Sequence, residues 1–292
     1  MSSEVKVSVC VVTYNQEKYI AECLQSLVDQ VTDFPFEIIV GEDCSTDRTR
    51  EIVLEFQKKY QDIVKPLLHT ENVGANQNYL MTHAKACGKY IAHMDGDDYA
   101  LPGKLQAQVD FLDENPECNM VFHRMNFIDG EEYVLSAEIS NRILAYKFYR
   151  SDIIEFVAIG ANSSKMYRKE LREIKLPDFN LVDYTVNVVQ VDSGYAAYCS
   201  DKALGVYRRG IGISGSLAVN NAVFNSLNYF IKIYPECKLQ INTSAWAWFL
   251  SNIKNNKRTK WLFLKIIFQT GVILGLYRYI ASRGFRKELS GL

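Results

Sequence analysis

Apolar and polar positions along the first half of the chain alternate between two periods. Residues 5–12 form an apolar, β-branched run that predicts a buried strand, and residues 17–30 then space Ile20, Leu24 and Leu27 at helical intervals. Residues 36–40 predict a second strand, and 46–60 a helix with Ile52, Val53 and Phe56 as its buried stripe. A third strand over 63–68, a helix over 75–86 and a short strand over 90–94 follow. This alternation implies βαβ units, hence an α/β fold with a mainly parallel sheet flanked by helices. Ligands of such sheets sit beyond the carboxyl ends of the strands.

The second half is less regular. Residues 120–128 predict a strand, 181–191 fit helix and strand equally, and 195–207 mix strand with turn. No internal repeat or low-complexity linker interrupts residues 1–215, which read as one domain with halves 1–115 and 116–215. Residues 216–292 read as a helical, partly amphipathic extension. Within it, 261–281 is apolar and long enough for a bilayer, which needs ~20 residues. Lys265, Gln269 and Arg278 interrupt that stretch at a cost of several kcal/mol at a bilayer centre. At ~100° per residue, Lys254, Arg258, Lys265, Gln269, Arg283 and Lys287 share one narrow stripe. An in-plane interfacial helix fits that pattern better than a span, and an amphipathic helix packed on the domain is the alternative.

Charge sharpens this picture. From Lys254 onward there are nine Lys and Arg residues and one acid, Glu288, whereas the whole chain carries a net charge of −1. An acidic body with a basic, apolar tail suggests an anionic membrane surface as partner. No nucleic-acid module accompanies the tail, so no nucleic-acid partner is expected. Composition excludes a disordered chain, with 48% apolar and 23% charged residues. The seven cysteines include no Cys-x-x-Cys pair, and the start of the sequence does not have the form of a secretory leader. Reduced thiols in a cytoplasmic protein are the expectation.

The chemistry gathers where the predicted strands end. Thr13, Tyr14 and Asn15 follow the first strand; alone they are an ordinary turn start. After the second come Glu42, Asp43, Cys44, Ser45, Thr46 and Asp47. Helix capping accounts for Ser45, Thr46 and Asp47, but leaves Asp43 as a carboxylate able to accept hydrogen bonds from a base or ribose. After the fourth come Asp95, Gly96, Asp97 and Asp98. Their mutual repulsion is costly unless cations or solvent compensate, and Mn²⁺ or Mg²⁺ readily bridges such carboxylates to phosphates. Gly96 would let the backbone approach a ligand closely.

Taken together, V-S-V-C-V-V-T-Y-N (7–15), I-I-V-G-E-D-C-S-T-D-R-T (38–49), N-V-G-A-N-Q-N (72–78) and A-C-G-K-Y-I-A-H-M-D-G-D-D (86–98) resemble family-2 glycosyltransferases of the GT-A fold. The resemblance covers residues 5 to 115 in order and spacing. It implies a nucleotide-diphospho-sugar donor, most commonly a UDP-sugar, and inversion at the anomeric carbon. By the same resemblance Tyr14 and Asp43 contact the nucleobase, Asp95 the ribose and Asp97 the metal, while Asn72 and Gly74 lie in a loop near the donor. Glu42 stands where many members have Asp.

An inverting transfer needs a carboxylate base on the face opposite the departing diphosphate, hence apart from the metal cluster. Asp183 is the expected base, with Asp178 and Asp192 as competitors; Val182 replaces the first acid of the pair found in the family. Residues 206–214 resemble the segment that closes over the donor, where Arg208 or Arg209 would neutralise diphosphate and the glycines would permit movement. Residues 160–164 are placed at the acceptor by position alone. The four histidines, His69, His83, His93 and His123, show no metal-ligand spacing and are read as structural or surface residues.

A nucleotidyltransferase or a dehydrogenase would carry a glycine-rich loop after the first strand, and residues 13–17 contain no glycine. A non-catalytic nucleotide-sugar or glycan-binding relative is the remaining alternative. The expectation is transfer of a hexose or N-acetylhexosamine from a UDP-sugar to a sugar acceptor, lipid-linked, at the inner face of the cell membrane. Within the family this fits O-antigen or capsule assembly.

Overall fold

A computed structural model describes residues 4–210 and 217–290. They divide into two compact units.

The first unit comprises residues 1–146, 160–174 and 196–211. In chain order its elements are β1 (Val7–Thr13), α1 (Ile20–Val28), β2 (Phe36–Glu42), α2 (Thr49–Lys59), β3 (Val64–Leu68) and α3 (Ala75–Ala84). There follow β4 (Tyr90–Asp95), β5 (Tyr99–Ala100), α4 (Lys104–Glu114), β6 (Cys118–Asp129), β7 (Glu132–Val134) and α5 (Asn141–Leu144). Beyond an interruption come β8 (Met166–Arg168) and β9 (Tyr195–Arg209). The sheet order is β3-β2-β1-β4-β8-β6-β9-β5, with β7 on β6. Strands β3, β2, β1 and β4 are mutually parallel, as the βαβ pattern predicts, whereas β8 joins β4 and β6 antiparallel. The parallel character is therefore confined to the first half of the chain.

Strands β1, β2 and β4 are buried almost throughout because helices cover both faces, which is why their sequences read as apolar runs instead of alternating. Helix α1 buries Ile20, Cys23, Leu24 and Leu27, one stripe at helical spacing. In α2 only Val53 of the expected stripe is buried; Ile52 and Phe56 are half-buried. Helix α3 instead turns a polar face inward, burying Asn78, Thr82 and His83. Asn78 donates to the Gly41 carbonyl at 2.9 Å, and a side chain at position 41 would collide with Thr82 and Asn78. The chain leaves β1 for β2 and β3 on one side and returns to β4 on the other. The crevice at such a reversal, between the ends of β1 and β4, is where open α/β sheets bind ligands.

The second unit comprises residues 147–159, 175–195 and 212–292. It holds α6 (Arg150–Phe156), α7 (Asp183–Gln190), α8 (Leu217–Ile233), α9 (Lys238–Lys254), α10 (Lys260–Thr270), α11 (Gly275–Ala281) and α12 (Arg283–Ser290). The ambiguous stretch 181–191 is helical. Residues 184–190 are all buried in it, which erases the one-sided periodicity that would have identified a helix. This division is discontinuous and departs from the expected boundary at 215. Short segments from the middle of the chain cluster with the C-terminal helices, with Tyr184 Oη donating to the Ile154 carbonyl at 3.0 Å and Phe148 and Phe156 packing on Phe285.

The single basic stripe is also revised. Lys254 ends α9, Arg258 lies in the following turn, Lys265 and Gln269 belong to α10, and Arg283 and Lys287 to α12. Gly271, with φ of +65°, ends α10 in the left-handed conformation, so no continuous helix exists to carry one stripe. Among the described residues no single helix is long and apolar enough to cross a membrane; α10 and α11 together have the length but bend by 114°.

Candidate active site

The carboxyl ends of β1, β2 and β4 lie side by side, and the loops that leave them are tied together by side-chain-to-backbone hydrogen bonds. Asn15, with φ of +52°, accepts from the Thr46 amide at 2.8 Å, and its own amide donates to Ser45 Oγ at 3.0 Å. The Gln16 amide donates to Thr49 Oγ1 at 2.7 Å. Asp47 accepts from the amides of Glu17 and Thr49 and so braces two loops, but Arg48 is the N-cap of α2 without a side-chain bond, and Ser45 and Thr46, expected to cap, bond Asn15 instead. Glu42, fully buried, accepts from the Ser45 amide at 2.6 Å and pairs with Arg50. Tyr14 is 45% exposed and presents its ring at this rim.

Asp43 is buried, and its two oxygens accept the amides of Val73 at 2.7 Å and Gly74 at 3.0 Å. Asn72 Nδ2 donates to the Asp43 carbonyl at 3.1 Å. The structure thus joins Asp43, Asn72 and Gly74 in one turn, and Asp43 orders that turn whatever else it touches.

At the end of β4, Gly96 fits where no larger residue would. A Cβ there would lie 2.5 Å from Gln16 Oε1 and 2.9 Å from Thr13 Cβ. The close approach seen here is to this chain's own Thr13 and Gln16. Ser163 organises the neighbouring acids. Its Oγ accepts the Asp95 amide at 3.0 Å and lies 2.5 Å from Asp98 Oδ2 and 3.3 Å from Asp95 Oδ2. Asp98 Oδ1 accepts the Arg208 amide at 3.0 Å. Burial, and then the charge of Asp95, push the Asp98 carboxyl well above its usual range. Burial also works to raise Asp95, but His93 and Ser163 beside it prevail and hold it below the usual range. Asp97 is raised to about 6 by burial and by Asp95.

Residues 160–164, assigned to the acceptor from sequence, thus include the residue that bridges the acidic cluster. Arg208 is similarly committed: it donates to the Asp97 carbonyl, pairs with Glu22 and stands over the rings of Tyr19 and Tyr99. That anchoring fixes the Asp97 backbone. Arg209 stands over Phe127. Residues 211–214 of the expected closing segment lie outside the described residues.

Among the described residues no group of three or more His, Cys, Asp or Glu could hold a metal by itself. Asp97, only 8% exposed and beside a second ionised acid, still suits a hard divalent cation that takes its remaining oxygens from phosphate and water.

Several residues of this region escaped the sequence reading. All four histidines are buried. His93 lies in β4 amid Tyr90, Ile91, Ala92 and Met94, and its Nε2 is 3.1 Å from Asp95 Oδ1. Its Nδ1 is 3.0 Å from Nε2 of His83, whose Nδ1 is 2.7 Å from Tyr167 Oη. Lys104, also fully buried, donates to the Ser163 carbonyl at 2.8 Å, and burial lowers it to about 8. A polar residue inside an otherwise continuous apolar strand is the signal that marks His93 in sequence.

Asp183 belongs to the second unit. It is the first residue of α7, is exposed, and accepts the Tyr184 amide at 2.8 Å. Of its competitors, Asp178 is exposed, and Asp192 lies 3.7 Å from the Arg150 guanidinium.

Comparison with known proteins places this geometry. The family described as glycosyl transferase family 2 matches residues 8–174. An uncharacterized protein of Mycobacterium tuberculosis (strain ATCC 25618 / H37Rv) is 31% identical over 211 residues, 70% of this chain and 58% of that protein. TarS of Staphylococcus aureus (strain MW2), a poly(ribitol-phosphate) β-N-acetylglucosaminyltransferase, is 30% identical over 217 residues, 68% of this chain and 36% of TarS. This chain therefore spans well under two thirds of the length of these relatives. The crystal structure of S. aureus TarS 1–349 with UDP-GlcNAc superposes with a TM-score of 0.67 at 22% identity, covering 98% of this chain and 81% of that one. The mannosyltransferase PcManGT of Pyrobaculum calidifontis, in complex with GDP-Man and Mn²⁺, gives 0.58 at 17% identity over 99% and 86%.

Proposed function

The chain belongs to glycosyl transferase family 2 and has the GT-A fold, and from that premise we propose that it is a metal-dependent, inverting transferase of a hexose or N-acetylhexosamine from a UDP-sugar. The observation that carries this reading is the acidic cluster Asp95-Gly96-Asp97-Asp98 at the sheet's reversal point, braced by Ser163 and Arg208. The likeness to TarS, named as an N-acetylglucosaminyltransferase and solved with UDP-GlcNAc, favours a UDP-N-acetylhexosamine.

In this reading Tyr14 lies against the nucleobase, with the turn ordered by Asp43 beside it. Asp95 accepts from the ribose, and Asp97 is the residue that would hold Mn²⁺ or Mg²⁺ beside the donor diphosphate. When bound, the cation offsets the negative charge that grows on the leaving diphosphate. Asp183 takes the proton of an acceptor hydroxyl. That oxygen bonds to the anomeric carbon while the bond to the β-phosphate oxygen breaks, and UDP departs with the electron pair. The acceptor is a sugar carried on a lipid at the inner face of the cell membrane, in the assembly of a surface polysaccharide. Trp261, Phe268, Ile273, Leu274, Tyr277 and Ile280, all exposed in the second unit among nine basic residues, support contact with an anionic membrane.

Titration calorimetry with UDP and with GDP, with and without Mn²⁺, tests the donor half. UDP is expected to bind in the presence of Mn²⁺, and Asp97→Ala to weaken it at least ~10-fold, the loss of one charge-assisted contact. Binding of neither nucleotide by the wild type would sink the transferase reading and favour a non-catalytic relative.

A further inference from the structure

Tyr167, His83, His93 and Asp95 form one continuous hydrogen-bonded chain. His93 Nε2 lies 3.1 Å from Asp95 Oδ1, and its Nδ1 lies 3.0 Å from His83 Nε2. His83 Nδ1 in turn lies 2.7 Å from the Tyr167 hydroxyl, so each link engages a different ring atom and the orientation of both imidazoles is fixed.

Tyr167 and His93 are completely buried and His83 is 2% exposed, whereas the Asp95 side chain is 35% exposed. The chain therefore has one end that reaches a ligand. Apolar side chains would fill the same space with no polar group left to satisfy, and β4 is otherwise apolar around His93. The second oxygen of Asp95 faces Ser163 at 3.3 Å, so the carboxylate is held from both sides.

We propose that Tyr167, His83 and His93 form a buried positioning chain that fixes the Asp95 carboxylate in one orientation, and thereby sets how strongly the donor site selects for ribose hydroxyls. The inference rests on the transferase reading above, because it takes the ligand of Asp95 to be the ribose of a nucleoside diphosphate. These residues touch no substrate themselves; they act through Asp95.

Calorimetry tests it by comparing UDP with its 2′,3′-dideoxy analogue in Mn²⁺. Wild type is expected to bind the analogue about tenfold more weakly, the worth of one charge-assisted hydrogen bond. In His93→Leu that ratio should fall toward one, and His93→Gln, which keeps a donor and an acceptor, should restore most of it. Tyr167→Phe removes a single oxygen and serves where the leucine variant does not fold; it should loosen the His83 ring and shrink the ratio about two- to threefold, the effect of losing a weaker, remote bond. An unchanged ratio in a folded His93→Leu or Tyr167→Phe, with UDP still bound, overturns the positioning chain alone. Failure of the wild type to bind UDP overturns the transferase reading, and the chain's role with it.

Discussion

At the scale of single residues, the site combines groups whose charge is set by neighbours. Asp95, Asp97 and Asp98 lie within four positions, yet Asp95 is pulled below the usual carboxylate range while the other two are pushed above it. The difference comes from what each acid faces: His93 and Ser163 outweigh burial at Asp95, whereas at Asp98 burial and the charge of Asp95 outweigh the bonds from Ser163 and the Arg208 amide. The prediction that belongs here concerns Asp183. Asp183→Asn keeps the shape of the side chain but removes the base, so turnover should fall by about 10²–10⁴ while UDP affinity stays within twofold or so. Steady-state kinetics beside calorimetry read the two effects separately. Unchanged turnover would pass the role to Asp178 or Asp192.

At the scale of elements, helices and strands are tied at ends that are distant in sequence. Asp113 in α4 accepts from Lys6 ahead of β1 at 2.7 Å and from Lys89 and Tyr90 at the start of β4 at 2.5 and 2.6 Å. Burial is the largest single influence and raises the Asp113 carboxyl, but those three donors together outweigh it and hold the group far below the usual range. A carboxyl depressed on folding stabilises above its unfolded pKa of 3.8, and the contribution disappears as pH falls from there. Asp113→Asn should therefore be less stable than wild type at pH 7, with the gap closing as the solution is acidified below about 3.8. Because the side chain is 37% exposed, solvent screening limits the gap to about 1 kcal/mol. Urea unfolding across that range measures it; a gap that widened in acid would refute the assignment.

At the scale of the whole molecule, the chain divides its roles between units. The acidic cluster and the parallel sheet belong to the first, and the proposed base and the basic, apolar helices to the second. A shallow groove of about 690 Å³ between α8 and α10 is lined by Phe224, Asn228, Lys232, Lys265, Phe268 and Gln269, pairing cations with rings as a lipid headgroup and its chains require. The protein is expected to sediment with phosphatidylglycerol vesicles and much less with phosphatidylcholine, and to be released by salt. Trp261→Ser combined with Phe268→Ser should weaken binding about tenfold or more, since each ring buried is worth ~1.5–3 kcal/mol. Absence of binding to both vesicle types would remove the membrane from the proposal.

The sequence by itself determined the strands and helices of the first half, because a buried parallel sheet leaves unbroken apolar runs with strand ends marked by turn residues. It also placed the acids of the site, since Asp43, Asp95 and Asp97 follow those runs directly and need no distant partner to be noticed. Only the tertiary structure decided the rest. Helix α7 is buried all round and so carries no readable period, and the glycine break after α10 turns a stripe that looks continuous on paper into separate helices. Ser163 and Arg208 reach the acidic cluster from residues 65 and 110 positions beyond Asp98, and Tyr167 meets His83 across 84. Such contacts follow from strand order, with β8 and β9 folding back onto the sheet, and no local pattern of hydrophobicity encodes that order.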